Sequence, residues 1–409
     1  MKILFVIHEF FPQHYTGTAR FGLNLATQLQ KMGNTIKILT YGETETDLQP
    51  FGNILTKKYL YDSLEVFSFR HRIMTPAVHF DIFNREIAED VWRFIEQEKL
   101  DDVDLVHIIH PLRTGVVAEY FHRKKIPITM TLTDYWILCP RVQLLKLDDS
   151  ICNGPSADKC PVECGFDCHT IFLRMQQAKA LTEYVDVITV PSTLVKTIFA
   201  KNGYPVNRFH VINHGLNYQN FQIIPRREYQ LNDPIVFGYV GPILAPKGIE
   251  LLINAFMKVP GNNISLKIFG SHLNQNEYLA HLKDIAKSDS RISFLGEYKY
   301  ENLSRIFSEI DVEIFSSIWY ETYCLALLEG LAHNIPIIAS NTVGSALEFF
   351  DNTSGMLFES CNCDHLAKKI EHISIDPREL NKIKEQIRYP PRIGEEAIQY
   401  EKIYSELTK

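Results

Sequence analysis

Residues 314–340 read IFSSIWYETYCLALLEGLAHNIPIIAS, and the class of fold can be inferred from them. The apolar runs at 311–316 and 335–339 are short, which is typical of buried parallel strands. Between them, residues 323–332 are good helix formers, and Pro336 prevents the helix from continuing. The stretch is therefore a strand–helix–strand unit. Glu321 follows its first strand, at the edge where ligands bind in open α/β sheets.

Two carboxylates flank this helix. Glu321 lies before it and Glu329 lies on it, about two turns further along. A carboxylate accepts hydrogen bonds from neighbouring hydroxyl groups, such as those of ribose or a sugar ring. The amides at the helix start, at Tyr323, Cys324 and Leu325, can bind phosphate or hydroxyl oxygens. The alternative is that Glu321 only favours the helix N-terminus and Glu329 lies on a solvated face.

The length of the chain indicates about two globular domains, because 409 residues exceed what one hydrophobic core usually supports. A formal net charge of −7 argues against a general nucleic-acid binder. No apolar run approaches the ~20 residues of a membrane span. We interpret residues 1–7 as a first buried strand, and we expect the chain to be cytoplasmic.

Short apolar runs alternate with helical patterns throughout, which predicts parallel sheets with helices on both faces. In the first half, strands are predicted at 2–7, 35–40, 64–69, 105–109, 126–132, 187–191 and 210–212. In the second half, they are predicted at 235–240, 265–269, 292–295, 312–315 and 336–339. The α/β chain is thus expected to form an N-terminal domain at 1–215, a C-terminal domain at 216–389 and a final helix within 390–409.

The unit at 314–340 resembles the E-x7-E motif of retaining glycosyltransferases with the GT-B fold, in glycosyltransferase family 4 (group 1). The resemblance covers nearly the whole chain and is strongest at 235–360 and 129–168. It implies two doubly wound Rossmann-like domains facing each other across a cleft, with the acceptor on the first domain and the nucleotide sugar on the second. The final helix would cross back to the first domain. Glu321 would contact the donor sugar and Glu329 the ribose.

A second donor segment, FGYVGPILAPKG at 237–248, resembles the family's G-R-L-x-x-x-K-G loop. Gly241 would allow close approach of the backbone to the ligand, and Lys247 would place a charge on the pyrophosphate. Pro242 stands where the family usually has Arg, so a guanidinium that could fork onto the pyrophosphate is missing. Either another basic group substitutes for it, with Arg20 and Arg141 as candidates, or donor binding is weakened, or the protein is not active in the usual way.

The first half contains an acceptor or phosphate loop around Gly17, Thr18 and Arg20, although a simple turn is the ordinary interpretation of one glycine. Thr16 stands where the family commonly has a second glycine.

The second acceptor-side segment is TDYWILCPR at 133–141. Asp134 is the catalytic candidate there, with Trp136 for stacking on a sugar and Arg141 as a basic group. The family often has His-Asp where this chain has Thr133-Asp134, so His107 or His110 would have to fill that space.

Five of the eight cysteines lie within 139–168, in a loop containing Gly154 and Pro155. The last four follow the pattern Cys-x7-Cys-x3-Cys-x3-Cys. Clustered thiols in a cytoplasmic chain suggest a structural zinc or iron–sulfur cluster rather than static disulfides. The alternatives are reduced buried thiols, or disulfides in an exported protein. The predicted ligands are Cys152, Cys160, Cys164 and Cys168.

The resemblance implies a retaining glycosyltransferase that moves a hexose from a nucleoside-diphosphate sugar to a glycan or lipid-linked glycan, without a metal cofactor for catalysis. Glu321, Asp134 and Lys247 are the predicted catalytic residues. A peripheral contact with the inner face of the membrane is part of this expectation. An epimerase or phosphorylase of similar fold is disfavoured by the E-x7-E helix. A sugar-nucleotide-binding or scaffolding partner that has lost catalysis stays open because of Pro242 and Thr133.

Overall fold

The computed structural model describes residues 1–42, 46–75, 78, 80–217, 227–351 and 353–409. The chain forms two compact units. The N-terminal domain contains Met1–Pro191, Val195–Gly215 and Ile393–Lys409, and the C-terminal domain contains Ser192–Leu194 and Leu216–Arg392. Within the described ranges, none of the helices is both long and apolar enough to cross a membrane.

The N-terminal domain is built on one mixed sheet with the strand order β3-β4-β5-β2-β1-β6-β7-β8-β9. The strands are β1 (Lys2–Ile7), β2 (Thr35–Tyr41), β3 (Gln49–Phe51), β4 (Ile54–Tyr61), β5 (Leu64–His71), β6 (Leu105–Ile108), β7 (Ile128–Thr131), β8 (Val187–Val190) and β9 (Phe209–Val211). β4 pairs antiparallel with β3 and β5, and the other pairs are parallel.

The antiparallel hairpin at the edge of this sheet corrects the expectation of parallel strands only. In β4, the strand next to the edge strand β3, buried residues alternate with partly exposed ones over its first half, as expected for an antiparallel strand with one face in solvent. The hairpin therefore lacks the continuous apolar run by which the other strands were recognised.

The α-helices that the described residues form before β9 are α1 (Gly17–Lys31), α2 (Ala88–Gln97), α3 (Gly115–Arg123), α4 (Lys159–Cys164), α5 (Cys168–Glu183) and α6 (Thr193–Lys201). α1 begins at Gly17 because the hydroxyl of Thr16 accepts a hydrogen bond from the amide of Ala19 at 3.3 Å, which caps the helix. Gly17 is thus the first residue of a helix rather than part of a loop.

The C-terminal domain has a parallel sheet with the strand order β12-β11-β10-β13-β14-β15. Its strands are β10 (Ile235–Val240), β11 (Ile264–Phe269), β12 (Ile292–Gly296), β13 (Val312–Phe315), β14 (Ile337–Ser340) and β15 (Met356–Phe358). Its helices are α7 (Ile249–Met257), α8 (Asn276–Ala286), α9 (Leu303–Ser308), α10 (Leu325–Ala332), α11 (Gly344–Phe349), α12 (Cys363–Ile375) and α13 (Glu379–Gln386).

Each sheet has a point where the direction of winding reverses. In the C-terminal domain the chain winds outward on one side from β10 and on the other from β13, and these two strands are neighbours. In the N-terminal domain the same relation joins β1 and β6. Loops that follow the two strands at such a switch point diverge and leave a crevice, which is where doubly wound domains bind ligands.

The last helix, α14 (Ile393–Leu407), belongs to the N-terminal domain. Its residues Ala397, Tyr400 and Tyr404 are buried in the same apolar core as β1 and α1. The helix is also joined to the sheet by hydrogen bonds, because the Tyr400 hydroxyl lies 3.1 Å from the Thr131 hydroxyl and the Tyr404 hydroxyl lies 2.6 Å from Nδ1 of His107. The final helix is thus part of the fold of the first domain.

Candidate functional site

The loop after β10 is held tightly against the neighbouring strand. The amide of Gly241 donates to the carbonyl of Phe269 at 3.0 Å. A Cβ atom on Gly270 would lie 1.8 Å from the carbonyl oxygen of Gly241, so only glycine fits there. The Tyr239 hydroxyl donates to the carbonyl of Pro242 at 2.6 Å, which fixes the position of the residue that replaces the expected arginine.

The same loop then turns toward the end of β13. Gly248 has φ +68°, and a Cβ atom there would lie 2.0 Å from the carbonyl oxygen of Ser316. The Ser316 hydroxyl donates to the carbonyl of Lys247 at 3.0 Å, and the amide of Ile318 donates to the carbonyl of Pro246 at 3.0 Å. The two loops of the switch point are therefore joined by hydrogen bonds to the backbone carbonyls of Pro246 and Lys247.

This joint brings Lys247 and Glu321 together. The Lys247 ammonium donates a hydrogen bond to Oε1 of Glu321, and the Ser317 hydroxyl donates to Oε2 at 2.6 Å. The backbone of Glu321 is also fixed, because its amide donates to the carbonyl of Thr342 at 2.9 Å and its carbonyl accepts from the amide of Gly344 at 2.8 Å. Two residues that lie 74 positions apart in the sequence thus form one buried ion pair.

The electrostatics keep this pair charged. Burial acts to raise the pKa of Glu321, but the Lys247 charge and hydrogen bonds from Lys247, Ser317 and Cys324 hold that pKa below its ordinary value. Burial acts to lower the pKa of Lys247, and the Glu321 carboxylate outweighs it, so the pKa of Lys247 is raised. Burial raises the pKa of the Cys324 thiol well above its ordinary value, so this neighbour stays a neutral donor.

α10 begins at Leu325, two residues later than predicted, and Tyr323 and Cys324 precede it. The amide of Cys324 donates to the Ser345 hydroxyl at 3.3 Å, which ties the start of α10 to that of α11. Glu321 is 4% exposed and Glu329 is 7% exposed. The alternative that Glu329 lies on a solvated face is therefore wrong.

The N-terminal domain has a second cluster of polar side chains, at its own switch point. The sequence did not predict this cluster. Immediately after β1, Nε2 of His8 lies 2.7 Å from Oε1 of Glu9, and Nδ1 of His14 lies 2.9 Å from Oε2. The signal in the sequence was the position: polar residues directly follow a buried strand. Burial and the nearby His110 lower the pKa of His8 to about 4, so this imidazole is neutral at neutral pH.

After the neighbouring strand β6, His110 pairs with the predicted residue Asp134, whose Oδ2 lies 2.9 Å from Nε2 of the ring. The amide of Leu112 donates to Nδ1 of His110 at 3.1 Å, so the ring proton of the neutral form is on Nε2 and points to the carboxylate. The amide of Trp136 donates to Oδ1 of Asp134 at 2.8 Å. The His8 and His110 rings are 4.0 Å apart between centroids, which joins the two groups.

Asp134 is ionised in this setting. Burial acts to raise its pKa, but the His110 ring, the amide of Trp136 and the more distant His8 lower it below the ordinary value. His107, the other histidine considered, is fully buried and bonds to Thr131 and Tyr404, so it belongs to the core. His110 therefore occupies the place next to the aspartate.

The predicted acceptor loop meets this cluster through one contact, in which the Thr18 hydroxyl donates to the Thr133 hydroxyl at 2.9 Å. A Cβ atom on Gly17 would have no atom within 4 Å, so the space beside it is open. Arg20 lies in the first turns of α1. Arg141 donates from Nε to the carbonyl of Leu145 at 3.0 Å, within the cysteine-rich loop. Both arginines belong to the N-terminal domain, whereas Pro242 belongs to the C-terminal domain.

The cysteines carry free thiols. Cys152 and Cys160 are buried, Cys164 is half-buried, and Cys168 is exposed as the first residue of α5. Among the residues that the structure describes, no three His, Cys, Asp or Glu side chains converge closely enough to hold a metal ion. The predicted four-thiolate set stays a prediction.

The C-terminal domain is similar to a known protein family. Residues 221–389 match the family model of the glycosyl transferases group 1. The capsular polysaccharide biosynthesis glycosyltransferase CapM of Staphylococcus aureus is 26% identical over 212 residues, which cover 47% of this chain and 52% of that protein. A D-inositol 3-phosphate glycosyltransferase of Mycobacterium marinum is 26% identical over 171 residues, which cover 40% of this chain and 36% of that protein. The chain thus spans about half or less of these curated relatives.

Solved structures match over the whole chain. Anabaena HepE in complex with UDP has a TM-score of 0.70 at 14% identity, covering 99% of this chain and 100% of that one. Sucrose-phosphate synthase from Thermosynechococcus elongatus has a TM-score of 0.68 at 18% identity, covering 100% of this chain and 99% of that one. Residues 221–389 thus match the group 1 glycosyl transferases, and the chain has the GT-B fold of these solved structures.

Proposed function

We propose that this protein is a retaining glycosyltransferase that moves a hexose from a nucleoside-diphosphate sugar to a sugar acceptor, in the synthesis of a surface polysaccharide or a lipid-linked glycan. The observation that carries the proposal is the buried Lys247–Glu321 pair at the switch point of the C-terminal domain. The named activities of CapM and of the inositol phosphate enzyme support the reaction class, and a structure of HepE with UDP and glucose supports the ligand class.

The pair suits the donor chemistry. The ionised Glu321 would accept hydrogen bonds from hydroxyls of the donor sugar, and the Lys247 ammonium would stabilise the negative charge that develops on the departing diphosphate. Glu329 would bind the ribose. Because Lys247 is held by Glu321 before any ligand binds, its charge is already oriented and little reorganisation is needed during transfer. None of these roles requires a metal ion for catalysis.

Asp134 is the residue we assign to the acceptor. Its two oxygens accept from His110 and from the amide of Trp136, and a carboxylate has lone pairs left for an incoming hydroxyl. The acceptor hydroxyl would attack from the face that the diphosphate leaves, which retains the configuration of the sugar.

A second candidate function is a sugar-nucleotide-binding or scaffolding protein without turnover. The observation that favours it is Pro242, because its carbonyl is engaged by Tyr239 and its side chain can donate no hydrogen bond to a pyrophosphate.

The first experiment is a thermal-shift screen of the intact protein with UDP, GDP, dTDP, ADP and CMP, with Glu329→Ala alongside. A nucleotide that binds the folded state raises the melting temperature. We expect one diphosphate to stabilise the wild type and to lose that effect in the variant. No stabilisation by any of the five would contradict the proposed donor site.

The second experiment separates transfer from binding. Radiolabelled sugars on the nucleotide selected by the screen are incubated with an extract of glycan acceptors, and Glu321→Ala is the control. We expect transfer by the wild type only, with the anomeric configuration of the donor retained in the product. Nucleotide binding without turnover of any labelled donor would favour the scaffold function.

A further inference from the structure

The cysteine-rich loop of the N-terminal domain is the strongest feature that the proposed function leaves unexplained. The four thiols that the structure brings near one another are not the four that the sequence predicts as metal ligands. Cys139 is buried and lies within electrostatic reach of Cys152, Cys160 and Cys164, and burial raises its pKa to about 11. Cys168 is exposed at the start of α5. The structure therefore groups Cys139, rather than Cys168, with the other three thiols.

The backbone ties together the segments that carry these thiols. Leu145 and Ile151 pair as a short antiparallel bridge, and the amide of Cys152 donates to the carbonyl of Leu144 at 2.8 Å. The amide of Leu147 donates to the carbonyl of Glu163 at 3.2 Å, which joins this hairpin to α4, the helix that carries Cys160 and Cys164. The thiols thus lie on a structured frame, although the stretch has few regular elements.

Two of the sulfur atoms also accept backbone hydrogen bonds. The amide of Ser156 donates to Sγ of Cys160 at 3.4 Å. Sγ of Cys152 accepts from the amide of Gly154 at 3.4 Å and, as a thiol, donates to the carbonyl of the same residue at 3.4 Å. Amide donors directed at sulfur favour the thiolate over the thiol, since the negative sulfur is the stronger acceptor. Such bonds to ligand atoms are the usual surroundings of a metal centre.

The same region contains a buried cation, the guanidinium of Arg174. Arg174 is 4% exposed, its guanidinium stacks 4.4 Å from the Trp136 ring, and one terminal nitrogen donates to the Trp136 carbonyl. Its Nε and other terminal nitrogen have no hydrogen-bond partner among the described residues. A buried cation is costly unless anions and hydrogen bonds compensate it. Cys139 is the foremost of the groups whose negative form stabilises Arg174, followed by Tyr204, Asp134 and Asp81.

We propose that Cys139, Cys152, Cys160 and Cys164 bind one zinc ion as thiolates, with Arg174 as the buried counter-charge. Four thiolates on a divalent ion form a tetrahedral site with a net negative charge, which would further stabilise the Arg174 guanidinium. Since no three of these sulfurs already converge, the ion would draw them together by turning their side chains. The bound ion would cross-link the loop that follows Asp134 and Trp136 in the sequence.

The test is a metal analysis of the intact protein after dialysis against a weak chelator. We expect one zinc per chain in the wild type and in the matched control Cys168→Ser, and near-complete loss in Cys139→Ser and Cys164→Ser. Cobalt in place of zinc should give the intense visible absorption of a tetrahedral thiolate site. Arg174→Met should keep the ion but lose it to a competing chelator at least about tenfold more readily.

Circular dichroism of every variant separates loss of the ion from loss of the fold. A wild type that purifies folded and binds neither zinc nor cobalt would overturn the proposal. Retention of zinc by a folded Cys139→Ser, with its loss in Cys168→Ser, would replace the proposed set by the one predicted from sequence. Iron with inorganic sulfide would also overturn it.

Discussion

At the scale of single residues, two glycines show how differently the same residue type is used. Gly248 has φ +68° and a backbone carbonyl where its Cβ would lie, whereas Gly17 starts a helix with open space beside it. We expect Gly248→Ala to lower the free energy of unfolding by at least about 2 kcal/mol. Gly17→Ala should change it by less than about 1 kcal/mol, in the stabilising direction. Urea denaturation measures both.

The pair of alanine variants also separates stability from ligand binding at Gly17. If the backbone of Gly17 approaches a ligand, Gly17→Ala will keep its stability and lose transfer activity. A destabilised Gly17→Ala, or an unaffected Gly248→Ala, would contradict the geometry of the two loops.

The Lys247–Glu321 pair predicts a non-additive effect on stability. Lys247→Met leaves a buried carboxylate with hydrogen bonds but without its cation, and we expect a loss of about 3 kcal/mol. In the double variant Lys247→Met/Glu321→Gln no uncompensated charge remains. It should therefore unfold at a higher urea concentration than Lys247→Met alone. A double variant as unstable as the sum of the two single variants would show that the residues do not interact.

His8 predicts how stability depends on pH. The unfolded chain binds a proton on this residue as the pH falls through about 6.5, but the folded chain binds it only near 4. The stabilisation from keeping His8 neutral is therefore complete above 6.5 and is lost as the pH falls toward 4. The loss is about 1.4 kcal/mol per pH unit for one proton.

The measurement is the free energy of unfolding at several pH values within that window. His8→Gln should reduce the slope by about one proton, whereas His281→Gln, at an exposed position, should leave it unchanged. His107, whose pKa burial lowers to about 3, keeps part of the slope in both variants. An unchanged slope in His8→Gln would contradict the buried neutral imidazole.

At the scale of elements, the sequence predicts a strand well where both of its faces are buried. β10 and β13 have the predicted bounds because their buried, mainly apolar runs end at Gly241 and at Ser316, respectively. The half-buried strand β4 was missed because its pattern is that of a strand with one face in solvent. The start of α10 was placed two residues early, because the backbone of Cys324 is extended and its amide donates to the Ser345 hydroxyl.

The candidate sites follow the same logic. Glu321, Lys247 and Asp134 could be named from the sequence because each lies in a motif that directly follows a strand. His8, Glu9 and His14 could not, because their relation to Asp134 depends on β1 and β6 being neighbours. That neighbour relation is a property of strand order, which no local pattern in the sequence expresses.

The helix α14 predicts a matched pair of substitutions. Tyr400 is fully buried against the sheet, and Ile398 on the same helix is 61% exposed. Tyr400→Ala should cost about 3–5 kcal/mol of stability because it empties a core position and removes the hydroxyl near Thr131 and Thr189. Ile398→Ala should cost less than about 0.5 kcal/mol. Thermal unfolding of the two variants gives the comparison, and similar melting temperatures would contradict the packing of α14.

At the scale of the whole molecule, the two domains are not two consecutive parts of the sequence, because α14 belongs to the N-terminal domain. The N-terminal domain is completed by residues that follow the C-terminal domain in the sequence, because α14 packs into its core. The Glu396 carboxylate on α14 accepts hydrogen bonds from His214 at 2.9 Å and from the amide of Gly215 at 2.7 Å. The point where the chain leaves this domain is therefore next to the point where it returns.

This proximity gives the last prediction. Residues 1–215 alone should lack cooperative unfolding and should bind a hydrophobic dye, because Tyr400 and Tyr404 are missing from the core. A fusion of residues 1–215 to 393–409 through a short Gly-Ser linker should fold, since the two ends meet at Glu396. Calorimetry of the two proteins decides: a single transition in the fusion and none in the truncated chain is expected. A truncated chain that unfolds cooperatively at the same temperature as the fusion would show that the domain does not need α14 to fold.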